Sequence, residues 1–140
     1  MVGTTNSVFA NDTVIRSGTT TGGAFLAPGT YDISPSWNNK ILALWTSPGA
    51  YTFNLTKDVA DALPCGFTVA MYQLSAANNI TLNYGSSTDW VQIYRVKDAK
   101  MARTGSLVLG TTSSYLASYI KLTKLGNGNA SWLMESNISF

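Results

Sequence analysis

Apolar residues along this chain come in short bursts that alternate with polar ones, and turn-forming residues separate the bursts. Beyond Thr13 the alternation predicts strands near 13–17, 24–27, 29–34, 40–46, 50–55, 67–75, 79–84, 90–97, 106–110, 115–124 and 130–135. Gly22-Gly23, Pro28-Gly29, Pro48-Gly49, Asn78-Asn79, Gly85 and Gly126-Asn127-Gly128 stand between them. Such residues supply positive φ or preset turn geometry. Many short strands at nearly even spacing predict an all-β, antiparallel sandwich or barrel. Residues 1–12 are polar and unpatterned, and read as a linker or N-terminal arm. Residues 13–140 then form one β-sandwich domain.

One segment breaks the alternation. Thr56-Lys57-Asp58-Val59-Ala60-Asp61-Ala62-Leu63 opens on a capping hydroxyl, carries early acids and meets Pro64. It predicts a helix of one to two turns between two strands. Asp58 and Asp61 share a face of that helix. Their plain role is to complement the positive end of the helix dipole in water.

Several strands are apolar on both faces. Leu42 and Leu44 back onto Ile41, Ala43 and Trp45; Phe67, Val69 and Met71 onto Ala70, Tyr72 and Leu74; Leu116, Ile120 and Leu122 onto Tyr115, Ala117 and Tyr119. A two-layer sandwich buries one face of each strand. The second face calls for another partner, and a neighbouring subunit is the natural one. Trp45, Tyr72, Tyr115, Ala117 and Tyr119 are therefore the candidate subunit interface.

Composition removes much chemistry. The 140 residues include 17 Thr, 15 Ser and 11 Asn, no His, one Cys (Cys65) and one Glu (Glu135). Without His there is no Ser-His-Asp or Cys-His catalysis and no His-ligated metal. One Cys makes neither a thiolate zinc site nor an internal disulfide. The residues point to no catalytic group, no metal and no cofactor, and the chain is expected not to be an enzyme. Charged residues make up 11% of the chain, against about 25% in an average domain. The net charge of +2 is too sparse for nucleic acid. Its distribution is uneven, because the cations gather after residue 90. Neither a signal peptide nor an 18-residue apolar run is visible. Asn11, Asn54, Asn79, Asn129 and Asn137 head Asn-x-Ser/Thr triplets, which a chain this rich in those residues generates by chance.

The run Asp61-Ala62-Leu63-Pro64-Cys65-Gly66-Phe67-Thr68-Val69 is followed by Asn79-Ile80-Thr81-Leu82, then Tyr119-Ile120-Lys121-Leu122 and Gly126-Asn127-Gly128-Asn129-Ala130-Ser131-Trp132. This resembles the C-terminal head domains of trimeric tailed-bacteriophage appendages: fibres, spikes and tail needles. There a short helix leads through Leu-Pro-small-Gly into a core strand, and a later strand turns over Gly and Asn to a Trp-bearing last strand. The resemblance spans roughly residues 29–135. It implies a homotrimeric jelly-roll knob, similar in outline to tumour-necrosis-factor-like trimers, on a virion tail appendage. In that setting Cys65 fills the small position between Pro and Gly by packing, and Trp132 anchors the core or a subunit interface. No heptad or shaft repeat is present, as in the terminal piece of a longer chain.

Two features suit recognition of a bacterial surface glycan or lipopolysaccharide. Arg95, Lys97, Lys100 and Arg103 surround Asp98, and residues 98–105 are expected to form an exposed loop. Three copies around an axis would make a positive crown for phosphates or acidic sugars. Trp37, Tyr84 and Trp90 lie in or beside turn-rich stretches, where aromatic rings among Asn, Asp and Ser could stack on a sugar. The same rings would alternatively plug the ends of the fold.

Three other classes compete: a soluble β-sandwich carbohydrate-binding module, a small outer-membrane β-barrel and a glycan-cleaving head. The barrel is suggested by Trp132, Met134, Ile138 and Phe140 on one alternating face. Most of the strands are shorter than a membrane-spanning strand needs. Glycan cleavage would need Glu135 with one of the Asp residues as a carboxylate pair.

Overall fold

The computed structural model describes residues 13–21, 24–110, 117–126 and 131–138. The expected linker 1–12, Tyr115 and the turn residues Gly22-Gly23 and 127–130 lie outside them. The described strands are β1 Val14–Ser17, β2 Phe25–Leu26, β3 Gly29–Asp32, β4 Lys40–Leu44, β5 Tyr51–Leu55, β6 Thr68–Gln73, β7 Ile80–Tyr84, β8 Ile93–Arg95, β9 Lys100–Ala102, β10 Gly105–Leu109, β11 Ser118–Lys124 and β12 Trp132–Ser136. Among the described residues the one α-helix, α1 Lys57–Ala62, lies between β5 and β6.

The described residues are all-β, with two sheets and one short α-helix. Eight strands form the large sheet in the order β2-β1-β4-β6-β11-β12-β8-β9, and four form the small sheet in the order β10-β7-β5-β3. Each core strand buries alternate residues, as period-2 geometry requires. Tyr51, Phe53 and Leu55 of β5 and Ile80, Leu82 and Tyr84 of β7 face Leu42, Leu44, Val69, Met71, Ile120, Leu122, Trp132 and Met134 of the large sheet in one core. Phe53 packs edge-on to Trp37, with ring centres 5.6 Å apart. Phe67 meets Trp132 edge-on at 6.0 Å.

The expected antiparallel order is corrected. Six strand pairs are parallel: β1 with β2, β1 with β4, β4 with β6, β3 with β5, β5 with β7, and β8 with β12. For β4 with β6, β3 with β5 and β5 with β7 the cause is the path of the chain. From β3 to β7 each successive strand changes sheet, so a strand that returns to a sheet runs in the same direction as the previous one there. Lys40 faces Val69 in the large sheet and Tyr51 faces Ile80 in the small one, the same spacing along the chain. Pro48-Gly49 and Asn78-Asn79 are thus corners between layers, not hairpin turns. Antiparallel pairing appears in the second half, where β11 inserts between β6 and β12 and β10 lies along β7. This mixed arrangement departs from an antiparallel jelly roll of tumour-necrosis-factor type.

The helix forms where the sequence places it. Thr56 Oγ1 accepts the Val59 amide at 3.3 Å, and Lys57 pairs with Asp61 at 2.7 Å. Its C-terminus is held from across the fold. The buried Lys124 Nζ donates to the carbonyls of Ala60 at 2.7 Å and Leu63 at 2.6 Å. A cation at the negative end of a helix is favourable, and these bonds satisfy carbonyls the short helix leaves unpaired.

Polar groups fix the corner between β6 and β7. Buried Gln73 donates from Nε2 to the carbonyls of Ser75 at 2.9 Å and Asn78 at 2.7 Å, and its Oε1 accepts the Ile80 amide at 2.9 Å. Thr46 Oγ1 donates to the Asn78 carbonyl at 2.8 Å, and Asn78 Nδ2 to the Thr46 carbonyl at 2.7 Å. The end of β4 is thereby locked to the corner that carries the chain across to β7.

Candidate functional site

The outward face of the large sheet carries an apolar and aromatic band, interrupted by the charged side chains of Arg16, Lys121 and Glu135. Register places Phe25, Arg16, Ala43, Tyr72 and Tyr119 side by side across β2, β1, β4, β6 and β11. The next row holds Val14, Ile41, Ala70, Lys121 and Glu135. Tyr72 and Tyr119 stack with ring centres 5.4 Å apart and planes 23° apart. Ile41, Ala70 and Tyr72 line a shallow depression of about 270 Å³ whose rim includes Lys40 and Lys121. Trp45, just beyond β4, is 46% exposed.

Of the five interface candidates, Trp45, Tyr72, Ala117 and Tyr119 are exposed or half-buried, while Tyr115 lies outside the described residues. The interior takes the opposite parity: Leu42, Leu44, Val69, Met71, Ile120 and Leu122. Phe25 belongs to the same band and was not singled out from the sequence. Its two-residue strand gives too little alternation to assign a face.

The basic candidates gather on a different feature. The expected 98–105 loop is corrected to a hairpin: β8 and β9 pair antiparallel, Arg95 opposite Lys100 and Tyr94 opposite Met101. Ala99, at φ 57°, sits in its turn. β9 was missed because three residues that include an exposed lysine and an exposed methionine carry little strand signal. Arg95 bonds Asp98 through two nitrogens, at 2.7 and 3.2 Å. Lys97 Nζ donates to the Asn137 carbonyl at 3.0 Å. The Arg103 guanidinium lies over the Trp90 ring, 4.5 Å from its centre, a cation–π contact. Trp90 therefore anchors the base of the basic hairpin while staying partly accessible.

The aromatic platform does not form. Trp37 is buried against Tyr31 and Phe53. Tyr84 is 3% exposed, in the interior of β7. Both rings fill the core, because their backbones sit on inward positions that turn-rich flanking sequence conceals. Cys65, expected to pack, is instead exposed in the turn after α1, and Trp132 is a core residue. The alternating C-terminal face, Trp132 and Met134, also points into the core. Glu135 faces outward opposite Lys121.

Among the described residues no group of three or more His, Cys, Asp or Glu side chains could hold a metal ion. Burial raises the Tyr51 phenol above its ordinary value, and the neighbouring Tyr31 adds to the shift. Lys57 is raised by its contact with Asp61. Neither shift marks a reaction centre, since one phenol is in the core and the other group is at the surface. The arrangement can bind through an apolar face and a cationic hairpin. No known family model, curated protein or solved structure matches the chain.

Proposed function

We propose that the protein is a non-enzymatic, homotrimeric knob at the distal end of a bacteriophage tail fibre or tail needle, contacting the bacterial surface during attachment or envelope penetration. The observation that carries this reading is the apolar and aromatic band on the outward face of the large sheet. Within one chain Tyr72 and Tyr119 gain only their mutual stack and Ile41 stays exposed, whereas copies packed around an axis bury Ile41, Ala43, Tyr72 and Tyr119. The helix–Leu-Pro-small-Gly–strand resemblance, low charge and abundance of Ser, Thr and Asn support the virion setting. The β8–β9 hairpin supplies the cations that would meet acidic groups of a surface glycan or lipopolysaccharide, once from each copy. Linked weak sites gain avidity when the geometry allows simultaneous contact.

Tyr119→Asp tests the reading. It places a carboxylate in the stacked Tyr72–Tyr119 pair, and sedimentation of the variant is expected to give monomers. Ala43→Arg, one strand further across the same row, should do likewise. Folded variants, by circular dichroism, that sediment identically to the parent assembly would place the interface elsewhere.

A further inference from the structure

The positive charge of this chain is concentrated in one small element. Residues 93–103 hold four cations, Arg95, Lys97, Lys100 and Arg103, against the single carboxylate of Asp98. The remaining sequence holds five cations against six acids. The whole net charge is thus owed to the β8–β9 hairpin, which forms one edge of the large sheet.

The same hairpin exposes large apolar side chains. Val96 is 52% exposed, Met101 42% and Tyr94 40%. Leu133, Tyr94 and Met101 occupy one row across β12, β8 and β9 on the outward face. With Val96 they line an open depression of about 450 Å³ whose wall includes Arg95 and Lys100. Lys97, one residue from Val96, is fixed at the tip by its bond to the Asn137 carbonyl. A purely solvating hairpin would not spend its outward positions on valine, methionine and leucine. A purely ionic contact would not need them either.

We propose that the β8–β9 hairpin is a peripheral docking element for an anionic lipid surface, with Val96, Met101 and Tyr94 entering the headgroup layer and Lys97 and Lys100 facing the phosphates. Cations next to an apolar tip fit the two zones of a bilayer interface, phosphate outside and hydrocarbon beneath. The contact is shallow and involves no spanning strand. This inference rests on reading the hairpin as the bacterial contact of the proposed knob, but not on the trimer.

The full chain is mixed with vesicles of phosphatidylcholine alone or of an equal mixture with phosphatidylglycerol, and co-sedimentation is measured. Binding is expected to the mixed vesicles only, and to fall with added salt as the charges are screened. Lys97→Gln with Lys100→Gln should weaken it about 25-fold, since each surface cation contributes about fivefold. Val96→Ser with Met101→Ser should also abolish most binding, with all charges intact. These positions are exposed, and circular dichroism checks that each variant is folded.

Three results would overturn the proposal. Unchanged binding by the Val96/Met101 variant would show a purely ionic contact. Retention on immobilised polygalacturonate without vesicle binding would identify an acidic polysaccharide instead. A change of molar mass in the Val96/Met101 variant would make the hairpin an interface between copies. A monomeric parent that still bound mixed vesicles would remove the trimer and leave the lipid contact standing.

Discussion

Tyr51 puts a phenol in the centre of the core and gives it one carbonyl partner, that of Leu26 at 2.8 Å. Burial disfavours the phenolate, so the folded chain holds this proton more tightly than the unfolded chain. Its contribution to stability is full below the ordinary tyrosine value of 10.0 and is lost as pH rises through the raised folded value. Tyr51→Phe is expected to cost about 1 kcal/mol at neutral pH, through the lost hydrogen bond. In urea titrations the gap between parent and variant should narrow above about pH 10. A gap that stayed constant would mean that the folded and unfolded chains release this proton alike, so that burial does not hold it. Alternation made residues 50–55 legible as a strand, and the structure buries Tyr51, Phe53 and Leu55 on its inward face. Alternation did not reach Trp37, whose neighbours are Ser, Pro and Asn, residues typical of exposed loops; Tyr84 continues the alternation of Ile80 and Leu82 and was read as a loop-side ring only because Gly85 follows it. Gly85 was legible as a turn residue, but the reason for glycine is tertiary. At φ 65° any Cβ there would lie 2.2 Å from the Arg103 carbonyl oxygen.

At the scale of elements, α1 is a helix too short to hold itself together. Its Thr56 cap, acids and Pro64 stop could be read from the chain, because capping is local chemistry. The clamp from Lys124 could not, because it joins residues far apart in sequence. Lys124 occupies an inward position of β11 in line with Ile120 and Leu122, where a lysine reads as a surface break in the pattern. Lys124→Met keeps the length and apolar stem but leaves the Leu63 carbonyl without its donor. Unpaired buried acceptors cost about 1–3 kcal/mol each, offset by relief from burying a charge. We expect a net loss of about 1 kcal/mol, concentrated in the helix. Hydrogen exchange should rise at Ala60 and Leu63 amides and stay low at Met71 and Leu122. Uniform acceleration across both sheets would instead make Lys124 a determinant of the whole core. The β8–β9 hairpin shows the opposite failure of local reading. Its cations were evident, but with β9 unrecognised, Tyr94, Val96 and Met101 had no common face.

The whole molecule shows where one-dimensional patterns stop. Period-2 alternation marks a strand and its two faces, and every strand but β9 lay close to its expected position. It carries no sign of strand direction, so the same pattern serves a hairpin and a chain that crosses between layers. That is why an antiparallel order was expected where parallel pairs join β1, β4 and β6 and also β3, β5 and β7. The doubly apolar strands, by contrast, were read from parity alone, and their outward residues form one band on the large sheet. Exposed apolar side chains clustered on one sheet face mark an interaction surface. What covers that band decides whether copies of the chain pack on it. Light scattering on a sizing column without detergent, over a range of concentrations, measures this most directly. The account predicts a constant molar mass of three chains, against 15.0 kDa for one. A constant mass of one chain would contradict it and leave the band facing water.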